Sequence, residues 1–122
     1  FAPAQIAALL ELLADLKARL RIPDANFLGH GDVAPGRKVD PSRHFPWKLL
    51  AERGFGLWCD APPPAPPGFD VTLALRALGY KVGADDTALR AFRRHWSGDD
   101  ASAELTDADK AMLYCLARLK GR

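Results

Sequence analysis

The sequence has little net charge and no long apolar run. Seventeen basic residues against fifteen acidic ones leave a formal charge of +2, which is too small to favour DNA, RNA or an anionic membrane as the main partner. No apolar run approaches the roughly 18–20 residues of a membrane span. The 122 residues include 48% hydrophobic and 26% charged side chains. This composition is typical of a folded globular protein and excludes disordered, collagen-like and membrane-embedded chains.

Cysteine is also scarce. The sequence contains two, Cys59 and Cys115, and it has no Cys-x-x-Cys pair of the kind that forms structural zinc sites. Two interpretations remain open for the cysteines. They are either two small buried apolar side chains or a disulfide between the linker and the last helix, which requires an oxidising compartment.

Proline is abundant in one place. Five of the ten prolines lie in residues 61–68, Ala-Pro-Pro-Pro-Ala-Pro-Pro-Gly. Such a run favours an extended polyproline II spacer. We therefore predict an N-terminal segment over residues 1–58, a linker over residues 59–68 and a separate module over residues 69–122.

The N-terminal segment is predicted to begin with a helix at Pro3 that carries one apolar stripe and ends before Pro23. Residues 26–29 read as a short buried strand, and residues 46–54 as a short helix. A lone strand cannot satisfy its backbone, and a stable sheet needs about three strands. We therefore expect an incomplete α/β fold whose sheet is completed by a missing N-terminal part or by a second chain. The start at Phe1, without methionine, agrees with that expectation.

The C-terminal module is predicted to be a small all-α domain of three helices. The first spans Val71 to Tyr80, the second follows Asp85 and ends at Trp96, and the third begins at a capping box that starts with Thr106. Four basic residues of the second helix are expected to form a solvated face rather than a phosphate site: Arg90, Arg93, Arg94 and His95.

The residues with the clearest chemistry lie in the loop after the predicted strand. His30 follows the strand directly, and Asp40 comes ten residues later between prolines. Imidazole and carboxylate are zinc ligands, and a catalytic zinc needs three protein ligands and a water. Lys38 is close enough along the chain to stabilise a developing oxyanion. From these residue types alone, two ordinary surface side chains remain the simpler interpretation.

Residues 29–41 carry a resemblance that favours the metal interpretation. Their sequence, Gly-His-Gly-Asp-Val-Ala-Pro-Gly-Arg-Lys-Val-Asp-Pro, is similar to the signature of the zinc-dependent N-acetylmuramoyl-L-alanine amidases of the AmpD/AmiD type. The chain departs from that signature at Gly31, where Ser or Arg is usual, and at Ser42, where Gly is usual. Neither position is a ligand.

The resemblance implies roles for individual residues. His30 and Asp40 would be two of the three zinc ligands, Lys38 would stabilise the transition state, and Arg37 would contact substrate. Asp32 would brace the loop. The first zinc histidine and the catalytic glutamate of the family match nothing in this chain, and His44 and His95 do not occupy those positions. We therefore expect an N-terminal part of the same amidase to supply them, and we expect this chain alone to be inactive.

The C-terminal module resembles the three-helix peptidoglycan-binding-like domain that follows the catalytic domain in AmiD-type amidases. The resemblance rests on Leu78-Gly79-Tyr80 and on the helix that ends at Trp96. Together the two resemblances imply an enzyme of the bacterial cell envelope, acting on peptidoglycan or muropeptides in the periplasm, with an outer-membrane anchor possible through an absent N-terminal segment. The alternative is a non-catalytic peptidoglycan-binding protein with a degenerate amidase remnant.

Overall fold

The computed structural model describes residues 1–121, so Arg122, the last residue of the predicted module, lies outside the described residues. A 3₁₀ turn at Asp24–Asn26 separates the first two helices. The helices, in chain order, are α1 (Pro3–Leu20), α2 (His30–Val33), α3 (Trp47–Glu52), α4 (Val71–Leu78), α5 (Thr87–Trp96) and α6 (Asp107–Lys120).

The predicted α/β fold with a sheet is wrong. Residues 1–121 contain no β-strand. The segment predicted as a strand starts in the 3₁₀ turn and continues as extended backbone through Phe27, with φ −90° and ψ 105°. Extended backbone becomes a strand only when a neighbour takes its hydrogen bonds, and no neighbour does so in the part of the chain described. Packing of the Phe27 ring on Phe55, with ring centroids 5.4 Å apart, holds the segment instead.

The predicted first helix is confirmed as α1, but it buries little of its surface. Three leucines of its apolar stripe pack at the edge of an aromatic cluster, namely Leu9, Leu10 and Leu13. None of the α1 residues is fully buried. Lys17 attaches the helix to the rest of the chain, because its ammonium pairs with Asp24 and donates to the carbonyl oxygen of Gly54 at 2.6 Å.

The three predicted C-terminal helices are confirmed as α4, α5 and α6, and local capping explains two of their starts. The Asp70 carboxylate accepts the N–H of Leu73 at 3.0 Å and so caps α4. At α6, the Thr106 hydroxyl accepts the N–H of Asp109 at 3.1 Å, and the Asp109 carboxylate accepts the N–H of Thr106 at 2.9 Å. This reciprocal arrangement is the predicted capping box, with aspartate in place of the usual glutamate.

Two clusters of buried apolar side chains form the core. The first contains Trp47, Leu50 and Phe55. The second joins α4, α5 and α6 around five fully enclosed or nearly enclosed side chains: Leu75, Ala88, Phe92, Leu113 and Leu116. The two clusters meet where the Trp47 ring stacks on His95, with centroids 3.9 Å apart. The predicted division into two domains and a linker therefore stays a prediction.

The solvated basic face predicted for α5 is wrong for three of its four residues. The side chain of Arg94 is 11% exposed and pairs with Asp100 at 2.8 Å. Arg93 and His95 are both only 6% exposed. The guanidinium of Arg93 donates to Asp109 at 3.1 Å and to the carbonyl oxygen of Ser102 at 2.9 Å. Residues three and four apart lie on the same face of a helix. His95 therefore lies on the buried face of α5 together with Ala88, Ala91 and Phe92.

The two cysteines form a disulfide, which decides between the two interpretations left open by the sequence. Cys59 and Cys115 are 56 residues apart in sequence, and their bond connects the start of the proline-rich segment to α6.

No helix within residues 1–121 combines the length and the apolar character needed to cross a lipid bilayer.

Candidate active site

The loop from Gly29 to Asp40 folds back on itself. Gly29 has extended backbone geometry and is followed by α2, a single turn that begins at His30. At the other end, the carbonyl oxygen of Asp40 accepts the N–H of Gly31 at 2.7 Å. This hydrogen bond brings the backbone of Asp40 next to the first turn of α2, so the residues at the two ends of the loop become spatial neighbours.

The side chains of His30 and Asp40 meet at the surface. The Nδ1 atom of His30 lies 3.3 Å from the Oδ2 atom of Asp40. Their side chains are 53% and 65% exposed. Both line a groove of about 580 Å³ whose other walls are mainly apolar and include Phe27, Trp47 and Leu50. The structure therefore brings the two predicted ligands together at a groove, while their role as metal ligands stays a prediction.

Lys38, the predicted catalytic residue, and its neighbour Arg37 lie on the same loop as the two predicted ligands. The backbone N–H groups of Arg37 and Lys38 both donate to the carbonyl oxygen of Ala34, at 3.1 Å and 3.0 Å respectively. Both side chains are exposed. Among the described residues, neither makes a hydrogen bond or ion pair with His30 or Asp40. Both charges are therefore carried by the same loop, without a hydrogen bond or ion pair to the two predicted ligands within residues 1–121.

The buried carboxylate of Asp32 sits under this loop. Its Oδ2 accepts the backbone N–H of Gly29 at 2.9 Å and lies 2.7 Å from Nδ1 of His95, while Oδ1 accepts the hydroxyl of Tyr80. Burial alone would raise the pKa of Asp32, but these partners, His95 foremost, hold the pKa below its usual value. Asp32 is therefore a carboxylate that braces the loop, as the resemblance implied.

Neither of the two side-chain partners of Asp32, Tyr80 and His95, was predicted to contribute to the site. Burial, reinforced by the Asp32 carboxylate, raises the pKa of Tyr80, so its hydroxyl remains a donor. Burial lowers the pKa of His95, although Asp32 opposes that shift, so a neutral imidazole donates its Nδ1–H to the carboxylate. The helical period of α5 is the sequence signal that could have placed His95 inside.

The donors of the loop do not form a complete metal site within residues 1–121. No group of three or more His, Cys, Asp and Glu side chains there is arranged to hold a metal ion. His44 lies along a different groove, beside Ile6 and Leu10 of α1, and His95 is enclosed next to Asp32. That neither histidine is a zinc ligand stays a prediction, and the positions of both side chains agree with it.

Comparisons with known proteins bear on this loop directly. Residues 1–43, which include both His30 and Asp40, match the model of a family described as N-acetylmuramoyl-L-alanine amidase. The N-acetylmuramoyl-L-alanine amidase AmiD of Escherichia coli K12 is 51% identical over 61 residues, which make up 50% of this chain and 22% of AmiD. The N-terminal third of the chain is therefore similar to this amidase family. The resemblance inferred from residues 29–41 is thereby confirmed.

Solved structures of amidases also resemble the chain over nearly its whole length. In a complex of Escherichia coli AmiD with the substrate anhydro-N-acetylmuramic acid-L-Ala-D-γ-Glu-L-Lys, the match covers 99% of this chain and 54% of AmiD, with 34% identity and a TM-score of 0.82. AmpDH3 of Pseudomonas aeruginosa matches over 100% of this chain and 55% of its own, with 30% identity and a TM-score of 0.86. AmpDH3 in complex with anhydromuramic pentapeptide gives a TM-score of 0.84 at 32% identity, over 98% of this chain and 54% of that one. The chain spans about half the length of these amidases.

Proposed function

We propose that this chain is the C-terminal portion of a zinc amidase that hydrolyses the bond between N-acetylmuramic acid and L-alanine in peptidoglycan or muropeptides. The observation that carries the proposal is the 3.3 Å approach of His30 to Asp40 at a groove, within the segment that matches the amidase family. Two related amidases have been solved with anhydromuropeptides bound, which supports a muropeptide as the substrate class.

The two side chains fit a zinc ion as part of its ligand set. Zinc accepts imidazole nitrogen and carboxylate oxygen at roughly 2.0–2.2 Å, and two corners of a tetrahedron of that size are about 3.4 Å apart. The observed separation of Nδ1 and Oδ2 is 3.3 Å. His30 and Asp40 would hold the metal, which, when bound, would supply Lewis-acid activation for amide hydrolysis.

The remaining chemistry of this chain would come from its two loop cations. Lys38 would place an ammonium beside the carbonyl oxygen of the scissile amide, where negative charge develops during hydrolysis. The guanidinium of Arg37 suits bidentate recognition of a carboxylate, such as those on the stem peptide of a muropeptide. The apolar walls of the groove, which include Phe27 and Trp47, would orient the substrate and exclude bulk water.

The ligand set would be completed from outside these residues. Catalytic zinc takes three protein ligands, whereas His30 and Asp40 are two, and the described chain offers no third group beside them. We infer that an N-terminal part of the same amidase contributes the first histidine and a glutamate that acts as general base. This proposal makes the present chain inactive by itself.

The proposed location is the bacterial cell envelope, most simply the periplasm, with any outer-membrane anchor carried by the N-terminal part. The disulfide between Cys59 and Cys115 supports this location, because disulfides persist in the periplasm and are rare in the cytosol. We propose that the helices α4 to α6 form the peptidoglycan-binding-like module, with residues 59–68 as its linker.

The test compares the 122-residue chain with the longer polypeptide that includes the N-terminal part. Zinc is measured by elemental analysis, and hydrolysis of an anhydromuramyl tripeptide by mass spectrometry. We expect about one zinc per molecule and hydrolysis from the longer polypeptide, and no hydrolysis from the chain alone. In the longer polypeptide, His30→Ala and Asp40→Ala should each lower zinc content and reduce turnover at least 100-fold.

His44→Ala is the matched control, because His44 is an exposed histidine outside the groove, and it should retain zinc and activity. Hydrolysis by the 122-residue chain alone would contradict the need for a second part. A longer polypeptide that binds sacculi without zinc and without hydrolysis would instead identify the protein as a non-catalytic peptidoglycan binder.

A further inference from the structure

The exposed imidazole of His30 depends on buried contacts for its position. His30 is the first residue of α2, and its own side chain has one hydrogen-bond partner among the described residues, Asp40. The residue before it, Gly29, donates its N–H to the carboxylate of Asp32. Asp32 therefore fixes the backbone from which the His30 side chain projects.

We propose that Tyr80 and His95 are positioning residues for His30, acting through the carboxylate of Asp32. Tyr80 follows α4 and His95 lies on α5, so both belong to the C-terminal helices rather than to the segment that matches the amidase family. The three helices would then serve the catalytic loop directly. The consequence for metal binding rests on the proposed function, whereas the positioning itself does not.

His95 is held in a single orientation by stacking on both sides. Its ring lies 3.9 Å from the ring of Trp47 and 3.5 Å from the ring of Trp96, measured between centroids, and is nearly parallel to each. The indole N–H of Trp96 donates to the carbonyl oxygen of Leu57 at 3.2 Å. Asp32 is the hydrogen-bond partner of this imidazole, and Nε2 makes no hydrogen bond within the described chain.

The loop also lies against α5 at two glycines. A Cβ atom at Gly31 would come within 3.1 Å of the guanidinium of Arg94, and one at Gly36 within 2.8 Å of the Thr87 methyl group. Gly36 has φ +82°, a conformation that glycine adopts without steric cost. The loop therefore lies close to α5 both at its first residue, Thr87, and near its end, at Arg94 and His95.

The first experiment removes one hydroxyl. Tyr80→Phe deletes the donor to Asp32 and leaves the ring in place, while Tyr114→Phe deletes the hydroxyl of a tyrosine that packs on Phe69, away from Asp32. Backbone and imidazole NMR signals are recorded for the metal-free, folded 122-residue chain. We expect Tyr80→Phe to shift or broaden the signals of Gly29, His30 and Gly31, and Tyr114→Phe to leave them unchanged.

A second pair of variants separates the hydrogen bond from the stacking. The asparagine and leucine side chains have nearly the same shape, and both His95→Asn and His95→Leu remove the ring. Asparagine keeps a donor where Nδ1 of His95 was. We expect the asparagine variant to retain the wild-type signals of residues 29–31 and the leucine variant to lose them. A general loosening of the fold would disturb both variants equally.

Zinc titration of the longer polypeptide that includes the N-terminal part, with a competing chromophoric chelator, links positioning to the metal. Loss of an outer contact to a ligand typically weakens metal binding about 10–100-fold. We expect this loss for Tyr80→Phe and His95→Leu and near wild-type affinity for His95→Asn and Tyr114→Phe. If the wild-type longer polypeptide binds no zinc while the His30 signals of the 122-residue chain still respond to Tyr80→Phe, the proposed function fails and the positioning stands. Unchanged His30 signals in both Tyr80→Phe and His95→Leu would overturn the inference.

Discussion

Asp32 illustrates how a buried charge becomes stable when donors converge on it. An isolated buried carboxylate would be neutralised or expelled, yet here a backbone N–H, an imidazole and a hydroxyl all point to its two oxygens. The donors come from three separate parts of the chain, so the same contacts that satisfy the charge also hold Gly29, Tyr80 and His95 at fixed distances from one another.

The pH dependence of stability should reveal the buried His95. Its pKa in the folded state lies below the ordinary value, with burial as the main cause. In the unfolded chain it titrates near pH 6.5. As pH falls below about 6.5, the unfolded state takes up a proton that the folded state does not, so the free energy of unfolding should fall by at most about 1.4 kcal/mol per pH unit from this group.

The measurement is urea unfolding of metal-free protein between pH 7.5 and 5. His95→Asn serves as the reference, because it keeps a donor to Asp32 and has no titrating ring. The variant should start less stable, having lost the stacking, but its free energy of unfolding should decline less steeply as the pH is lowered. Parallel pH profiles for the two proteins would mean that His95 does not stay neutral in the fold.

At the scale of the helices, the parts that sequence predicted well are those with local causes. Pro3 starts α1, and the reciprocal hydrogen bonds of Thr106 and Asp109 start α6, because a cap needs only residues within one turn. The strand at residues 26–29 could not be decided locally. Whether extended backbone becomes a strand depends on a distant partner, and in the described chain Phe27 packs on Phe55 instead.

The one-turn helix α2 and the burial of Arg93 and His95 on α5 were missed for a related reason. The turn at His30 is stabilised by Asp32 only while Tyr80 and His95 hold that carboxylate from elsewhere in the chain. Charge alone suggested that Arg93 faces solvent, whereas its partner, Asp109, lies 16 residues further along. The approach of His30 to Asp40 was predicted only through the family signature, because nothing in their spacing requires the loop to close.

Two substitutions at the start of α6 should lower the stability of the protein by different amounts. Thr106→Ala removes one cap hydrogen bond and should cost about 1 kcal/mol of stability. Asp109→Ala removes the other half of the capping box and also the closer of two carboxylates beside the buried Arg93 guanidinium, which keeps Asp99 at 3.5 Å, so it should cost about 2–4 kcal/mol. Urea unfolding monitored by circular dichroism measures both. Equal losses would show that the Arg93 to Asp109 pair contributes little beyond capping.

At the scale of the whole molecule, stacking and buried hydrogen bonds join the two core clusters. The stacking of Trp47 on His95 and the convergence of Gly29, Tyr80 and His95 on Asp32 connect them through the interior. The leucines of the apolar stripe of α1 are only partly buried, and Leu20 is 62% exposed, which leaves apolar surface that the proposed N-terminal part of the amidase would cover.

The disulfide should contribute a large share of the stability of the chain as a whole. Cys59 is 7% exposed and belongs to the second core cluster, and its bond to Cys115 closes a loop of 56 residues in sequence separation. Restricting the unfolded chain over a loop of that length is worth about 4 kcal/mol in the chain-entropy model. Replacing both cysteines by alanine should lower the free energy of unfolding by that order. Dithiothreitol should destabilise wild-type protein by a similar amount and leave the double variant unchanged. A wild-type unfolding curve that does not respond to reductant would contradict the contribution of the bond and weaken the argument for an oxidising compartment.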